Sequence, residues 1–192
     1  MKVLVAAVLG VLGPLALVAG LVLSGDPERV SAQELKGPVI LTVTGEVTKP
    51  NRGAYDPETD KFFGHNELDF KAATGFDFEM LEKLERVRVK ADFPRGEQVH
   101  EFEGPTLASV LEAAGATGDK ITLMALDGYM IEMPVSELIR QGAVLALKRD
   151  GQPLGIGDFG PTQIVFPRAE RPDLKDMTDD AWIWSIYHIK VE

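Results

Sequence analysis

The pattern of hydrophobic and polar positions predicts short strands separated by turns. Residues 38–45 are rich in β-forming residues and end at a glycine, and residues 87–91 alternate between apolar and charged side chains. Asp127-Gly128 separates two apolar segments, which is a strong signal for a β-hairpin. Further strands are predicted at 121–126, 129–133, 143–148, 162–166 and 182–191. In the last of them Trp182 and Trp184 are two positions apart and should share one face.

Three short helices are predicted between these strands. Asp77 is placed to cap the first helix. The clearest helix opens at Gly104-Pro105, has apolar residues at every third or fourth position, and ends at Gly115. A third helix starts at Pro134 and is stopped by Gly142. Because strands and helices interleave without a regular βαβ order, the pattern indicates a mixed α+β domain.

Residues 49–75 differ from the rest of the chain. They are dense in Asn, Gly, Pro and Asp, yet they also contain Tyr55, Phe62, Phe63 and Phe70. Such an aromatic content is unlike that of a disordered linker. We expect a long ordered loop whose aromatic side chains pack on the rest of the domain.

The N-terminal segment carries the pattern of an export signal. An unbroken apolar stretch, 3–23, follows Lys2, and its length is also sufficient for a helix that crosses a bilayer. The glycines and the proline within it favour a cleaved signal peptide. We therefore divide the chain into residues 1–32, a signal peptide or N-terminal anchor, and one domain at 33–192. Sec-type export to the periplasm is expected, with anchoring by an uncleaved helix as the alternative.

Composition and charge argue against several functions. The formal net charge of −10 makes binding to nucleic acid unexpected, because phosphate neutralisation requires a basic surface. The chain contains no cysteine, so neither disulfides nor thiolate metal sites are available. His65, His100 and His188 are too far apart to show metal-ligand spacing. No metal site and no catalytic residue are predicted.

Ligand binding is the chemistry that the remaining residues favour. Aromatic and charged side chains recur at strand ends and in loops, where functional residues tend to lie. The candidate ligand-binding residues are Asn51, Arg52, His65, Asp127, Tyr129, Arg149, Asp158, Trp182 and Trp184. The paired carboxylates Asp179-Asp180 are interpreted as part of a solvated loop.

An ordered series of segments resembles the molybdopterin-binding domain of the sulfite oxidase family. Phe102-Glu103-Gly104-Pro105-Thr106-Leu107, continued through Gly115, is similar to that family's F-x-G-x-x-L-x-x-L-L-x-x-A-G helix. Segments 127–129, 146–154, 160–167 and 182–191 resemble the rest of the domain in order. The resemblance covers most of residues 39–191. It implies an α+β fold of several small mixed sheets with short helices, and a pterin cofactor among the loops.

The chain departs from the catalytic members of that family at two motifs. Where they hold molybdenum through the cysteine of an R-F-R-C segment, this chain has Arg86-Val87-Arg88-Val89. Where they grip the anionic cofactor with His-Gly-x-Pro-x-Arg, it has Asp158-Phe159-Gly160-Pro161-Thr162-Gln163. A carboxylate beside phosphate and dithiolene should repel that cofactor. Loaded enzymes also use a twin-arginine signal, and here no arginine precedes residue 29.

The chain looks most like a small, cysteine-free periplasmic branch of the family, including its Asn51-Arg52-Gly53 loop. Some members of that branch bind a free reduced pterin and relay its presence to a membrane-bound enzyme of cyclic-di-GMP turnover. The resemblance implies a non-catalytic pterin-binding sensor or accessory protein, with a reduced pterin as ligand and no metal. The implied partner is the periplasmic domain of a membrane-bound cyclic-di-GMP enzyme or a sensor kinase.

Roles within such a site can be assigned on the same resemblance. Asp158 or Asp127 would accept hydrogen bonds from the amino-pyrimidinone edge, and Trp182 would stack on the ring. Arg52 and Arg149 would hold a carbonyl or side-chain hydroxyls. Two alternatives stay open: a molybdopterin-dependent oxidoreductase without the cysteine ligand, and a docking adaptor without a ligand, whose cavity Tyr55, Phe62 or Phe63 would fill.

Overall fold

A computed structural model describes residues 34–192 of the chain, so the predicted export segment lies outside the described residues. Within residues 34–192, no helix combines the length and the apolar character needed to cross a membrane. The strands of this part are β1 (Leu41–Gly45), β2 (Thr74–Phe76), β3 (Arg86–Asp92), β4 (Val99–Pro105), β5 (Lys120–Ala125), β6 (Met130–Pro134), β7 (Val144–Ala146), β8 (Lys148–Arg149), β9 (Gln152–Pro153), β10 (Gln163–Val165) and β11 (Ile186–Val191). The helices are α1 (Lys61–His65), α2 (Phe78–Glu82), α3 (Leu107–Ala114) and α4 (Val135–Gln141), with a single 3₁₀ turn at Pro172–Leu174.

The strands of the described residues form three sheets. The largest has the order β2-β1-β11-β5-β6, in which β1 and β11 run parallel and the other neighbours run antiparallel. A second sheet has the order β3-β4-β8-β9, and β7 pairs with β10 in a third. The result is an α+β fold of small mixed sheets and short helices, as the sequence predicts. Strand β6 lies at one edge of the largest sheet.

Helix α3 packs its apolar face into the core that the sheets enclose. The predicted face of Leu107, Val110, Leu111 and Ala114 is buried, and Gly115 ends the helix with φ of 65° in the left-handed region, as expected. The predicted start of the helix is wrong. Gly104-Pro105 closes β4, and the helix begins after Thr106, whose Oγ1 accepts the Ser109 N–H at 3.1 Å.

Asp77 caps α2 as predicted. Its Oδ1 accepts the backbone N–H of Met80 at 2.7 Å, and this bond holds the pKa of the Asp77 carboxyl below its ordinary value. The other oxygen, Oδ2, accepts the N–H groups of Lys36 and Gly37. One carboxylate thereby ties the start of the described chain to the helix.

The segment 49–75 is ordered, and its aromatic side chains pack as predicted. The Phe63 ring lies edge-on to Phe70, with ring centroids 5.4 Å apart, and it also contacts Tyr187 of β11 at 5.6 Å. The segment is not only a loop, since it contains α1 and most of β2. Tyr55, Phe63 and Phe70 belong to a small second cluster that also contains Met124 and Tyr187.

The final strand is shorter than the sequence predicts. β11 begins at Ile186 because Ser185 has a φ of 53°, which interrupts the extended backbone ahead of it. Trp182 and Trp184 therefore do not share a strand face. Trp182 is 1% exposed and Trp184 is 40% exposed.

Candidate functional site

A cavity of about 410 Å³ opens where the β5–β6 turn meets the segment that leads into β11. It contains four of the candidate residues predicted from sequence: Asp127, Tyr129, Trp182 and Trp184. The volume is within the range of small-molecule sites. The other lining residues are Phe93, Pro94, Ala125, Asp179, Asp180 and Ile183.

The predicted hairpin positions one wall of the cavity. Gly128 takes a φ of 87° at the turn, and Asp127 Oδ1 accepts the Tyr129 N–H at 3.0 Å. The Tyr129 ring is half-exposed, and its hydroxyl donates to the Asp180 carbonyl at 3.4 Å. The turn therefore presents one carboxylate and one aromatic ring to the same space.

The two tryptophans contribute in different ways. The Trp182 ring is stacked on Phe93 with centroids 5.5 Å apart and planes 6° apart, and the Arg168 guanidinium lies 4.4 Å from its centroid. Its Nε1 donates to Met177 Sδ at 3.3 Å. Since these contacts cover the ring, the expectation that Trp182 is a stacking platform is wrong. Trp184 is the tryptophan with exposed aromatic surface.

The Arg168 side chain packs on Trp182 of the cavity lining. Arg168 was not among the candidates predicted from sequence. Its side chain is 2% exposed, and it pairs with Asp92 and with Asp179, each at 2.7 Å. It also donates to the Met177 carbonyl at 2.9 Å. In the sequence, Arg168 is marked only as a basic residue that directly follows the apolar segment ending at Phe166-Pro167.

The carboxylates of the cavity differ in their partners. Asp179 is neutralised by Arg168 and also accepts the Arg95 N–H at 2.8 Å, so it is structural and not part of a merely solvated loop. Asp180 accepts a hydrogen bond from Thr178 at 2.7 Å, and Asp127 accepts one from its own turn. No Lys, Arg or His lines this cavity in the part of the chain that the structure describes. The site is thus aromatic and anionic.

Two predicted candidates lie near a second, smaller cavity. Arg52 lines this space of about 260 Å³, where it is paired with Asp60 and lies 5.0 Å from the Phe70 centroid. The Asn51 side chain bonds both backbone groups of Gly75, at 2.7 and 2.8 Å. Asn51 therefore fixes the backbone that carries Arg52.

Three predicted candidates lie outside both cavities. His65 is exposed at the end of α1, and Asp158 is exposed in the loop before β10. Arg149 lies 5.4 Å from the centroid of Phe159, a ring that in turn contacts Trp184 edge-on. The structure therefore brings together only part of the predicted set. Across residues 34–192, no three His, Asp or Glu side chains converge as a metal site would require.

Comparison with known proteins supports the fold. No family model matches the sequence, and no curated protein matches it. Among solved structures, the chain is similar to the sulfane dehydrogenase SoxCD from Paracoccus pantotrophus, with a TM-score of 0.54 and 16% sequence identity. The match covers 79% of this chain and 37% of that one. It confirms the sulfite-oxidase-like α+β fold.

The side chains at the cofactor-motif positions do not fit an anionic molybdenum cofactor. No cysteine can supply a thiolate, and Arg86 and Arg88 are paired with Glu103 on the neighbouring strand. Gln163 is fully buried, and its two amide atoms have no hydrogen-bond partner among residues 34–192, so its side chain does not reach a ligand at the surface. Asp158 adds a negative charge.

Proposed function

We propose that this chain is a non-catalytic binding protein for a phosphate-free reduced pterin, and that it acts in the periplasm as a sensor or accessory subunit of a membrane-bound signalling enzyme. A cyclic-di-GMP enzyme or a sensor kinase is the partner that the sequence resemblance implies. The observation that carries the proposal is the aromatic, anionic cavity, with exposed rings of Tyr129 and Trp184 beside the carboxylates of Asp127 and Asp180.

The shape of the cavity suits a flat ring. Aromatic surface from Trp184 and Tyr129 is available for stacking, which is favourable for a planar heterocycle. The amino-pyrimidinone edge of a pterin offers two adjacent N–H donors, and one carboxylate can accept both. Asp127 is the candidate for that role, because it lines the cavity and no cation neutralises it among the described residues.

The charge of the cavity discriminates between pterins. A reduced pterin without phosphate is uncharged, so the carboxylates of Asp127 and Asp180 do not repel it. A phosphate or dithiolene group would meet like charge, and no base among the described residues that line the cavity would compensate it. The proposal therefore excludes molybdopterin as the ligand on electrostatic grounds.

Titration with a synthetic tetrahydropterin tests the proposal. Protein from cells that export it should show saturable quenching of tryptophan fluorescence, and Trp184→Phe should remove most of that signal. Asp127→Asn should weaken binding about tenfold or more, because it removes a charge-assisted hydrogen-bond acceptor. Asp158→Asn is the matched control: it makes the same change at an exposed carboxylate outside the cavity lining and should leave the dissociation constant unchanged.

Two results would contradict this function. Tighter binding of intact molybdenum cofactor than of the tetrahydropterin would reverse the electrostatic argument. Stoichiometric molybdenum in protein from its natural host would favour the alternative of an oxidoreductase that holds metal without protein sulfur. Filling of the ligand cavity by Tyr55, Phe62 or Phe63 would support the alternative of a ligand-free adaptor. None of the three lines the cavity of about 410 Å³, whereas Phe62 and Phe63 line the smaller one that contains Arg52.

A further inference from the structure

The cavity of about 410 Å³ exposes aromatic surface that no other side chain uses. The rings of Tyr129 and Trp184 line it and are 49% and 40% exposed. Within residues 34–192, the only ring in contact with Trp184 is Phe159, edge-on with centroids 6.4 Å apart, and no cation lies over Trp184 or Tyr129. The negative face of an aromatic ring attracts a cation, so both rings can accept one from solution.

The buried side of the same wall already holds a cation in this manner. The Arg168 guanidinium lies 4.4 Å from the centroid of Trp182, and its side chain is 2% exposed. Trp182 also lines the cavity, two residues before Trp184. An interaction between a ring of this wall and a positive charge is therefore part of the fold, and Trp184 offers the same chemistry on the open side.

The bases near the cavity do not neutralise its carboxylates. Arg168 is outnumbered, since Asp92 and Asp179 both pair with it at 2.7 Å. Arg95 directs its guanidinium to Asp176, at 3.4 Å. Neither guanidinium leaves an unbalanced positive charge for the cavity, and no Lys, Arg or His of the described chain is among the lining residues.

Asp127 and Asp180 are the lining carboxylates without a cationic partner among residues 34–192. Oδ1 of Asp127 accepts the Tyr129 N–H at 3.0 Å, and Oδ2 of Asp180 accepts the Thr178 hydroxyl at 2.7 Å. The second oxygen of each carboxylate accepts no hydrogen bond from the described residues. Since no three acidic or histidine side chains converge within this part of the chain, the negative charge is not arranged for a metal ion. Charge and aromatic surface together favour an organic cation.

We infer that the cavity binds a protonated primary amine with an apolar body, and that such amines compete with the heterocycle of the proposed function. The ammonium group supplies three N–H donors and is charged at neutral pH. It donates to Asp180, to which the proposed function assigns no bond with the ligand. The apolar body packs on Trp184 and Tyr129. Because both cavity carboxylates are exposed, each contributes a few-fold in affinity.

The probe is 2-phenylethylamine, compared with its neutral analogue 2-phenylethanol and with the anion 3-phenylpropanoate. The chain has two tryptophans, so the indole N–H resonance of Trp184 can be assigned with Trp184→Phe. The amine should shift this resonance in a saturable manner. The alcohol should bind at least about threefold more weakly, and the carboxylate more weakly still. Added salt should reduce the difference between amine and alcohol.

Variants separate the cavity carboxylates from the overall charge of the protein. Asp180→Asn should weaken the amine about two- to fivefold and leave the alcohol unchanged. Asp127→Asn combined with Asp180→Asn should abolish the preference for the amine. Asp69→Asn is the control, because it makes the same change in net charge at an exposed carboxylate that does not line the cavity, and it should alter neither affinity.

Three results would overturn the inference. These are equal affinities for the amine and the alcohol, a preference for the amine that survives in the double variant, and amine binding that leaves the Trp184 resonance unchanged.

Competition with tetrahydropterin separates this ligand class from the proposed function. Displacement of the tetrahydropterin by the amine supports one shared cavity, and simultaneous binding of both refutes it. Binding of the tetrahydropterin alone refutes the amine site and leaves the proposed function standing. Binding of the amine alone supports the amine site and refutes the proposed function.

Discussion

Arg168 is the side chain whose loss should do most damage to the proposed site without touching its ligand. Replacing it with methionine keeps an apolar chain similar to the methylene part of the side chain but removes the guanidinium. Asp92 and Asp179 then lose their shared cation, and the Met177 carbonyl loses a donor. The Trp182 ring also loses the cation that covers it at 4.4 Å.

The size of the effect follows from burial. Breaking a buried ion pair by removing one partner costs about 3–5 kcal/mol, because the other charge is left uncompensated. Asp92 and Asp179 retain some exposure, 21% and 31% of their side chains, so water can partly replace Arg168. We therefore expect a loss near the lower bound, about 3 kcal/mol in the free energy of unfolding. For a domain of this size that lowers Tm by about 6–12 °C.

Chemical unfolding in urea, followed by tryptophan fluorescence, measures the loss. Arg88→Met is the matched control: Arg88 also pairs with a carboxylate, Glu103, at 2.8 Å, but its side chain is 69% exposed. Exposed pairs contribute about 0–1 kcal/mol, so this variant should stay close to the parent. Equal losses in the two variants, or a loss under about 1 kcal/mol for Arg168→Met, would refute the assignment of Arg168 as the support of this wall.

Two further predictions concern stability away from the site. Burial lowers the pKa of His188 to about 4, whereas a histidine in the unfolded chain has a pKa near 6.5. Between these two values the unfolded chain binds a proton that the folded chain does not, so the free energy of unfolding should fall by about 2 kcal/mol between pH 7 and pH 5. In urea unfolding, His188→Gln should lose this dependence, while His65→Gln keeps it. A Cβ on Gly104 would lie 2.0 Å from the Leu145 carbonyl oxygen, so Gly104→Ala should lower the free energy of unfolding by about 3 kcal/mol or more. A Cβ on Gly53 would have no atom of residues 34–192 within 4 Å, so Gly53→Ala should change it by less than about 1 kcal/mol. Similar thermal midpoints for the two variants would contradict the close approach of β4 and β7.

The elements that sequence predicted well are those with local signals. Asp77 as a cap, Gly115 and Gly142 as helix ends, and Asp127-Gly128 as a turn each require a specific backbone or hydrogen-bonding property, and the structure uses each accordingly. β4 lacks such a signal. Among the residues of β4 before Gly104 only Phe102 is buried, and it lies between Glu101 and Glu103. The pairing of β4 with β3 and β8 is therefore decided by tertiary contacts.

The site was predictable only in part, for a related reason. The positions of Asp127 and Tyr129 could be predicted from the hairpin signal at Asp127-Gly128. The exposure of Trp184 and the burial of Trp182 depend on the positive φ of Ser185, which is rare for a residue of this type. The ion pairs of Arg168 could not be recognised from its position after Pro167, because Asp92 lies 76 residues and Asp179 lies 11 residues away in sequence. Their convergence is a property of the folded chain.

Asp180 lines both the proposed ligand cavity and a groove of about 540 Å³ between β6, α4 and residues 173–181, and its carbonyl accepts the Tyr129 hydroxyl. Two occupants that meet at one residue are subject to thermodynamic reciprocity. Whatever factor a ligand in the cavity would apply to the affinity of the groove for an occupant, that occupant would apply to the affinity of the cavity for the ligand. Under the proposed function, the effect of the ligand on an occupant of the groove would thus equal the effect of that occupant on the affinity for the ligand.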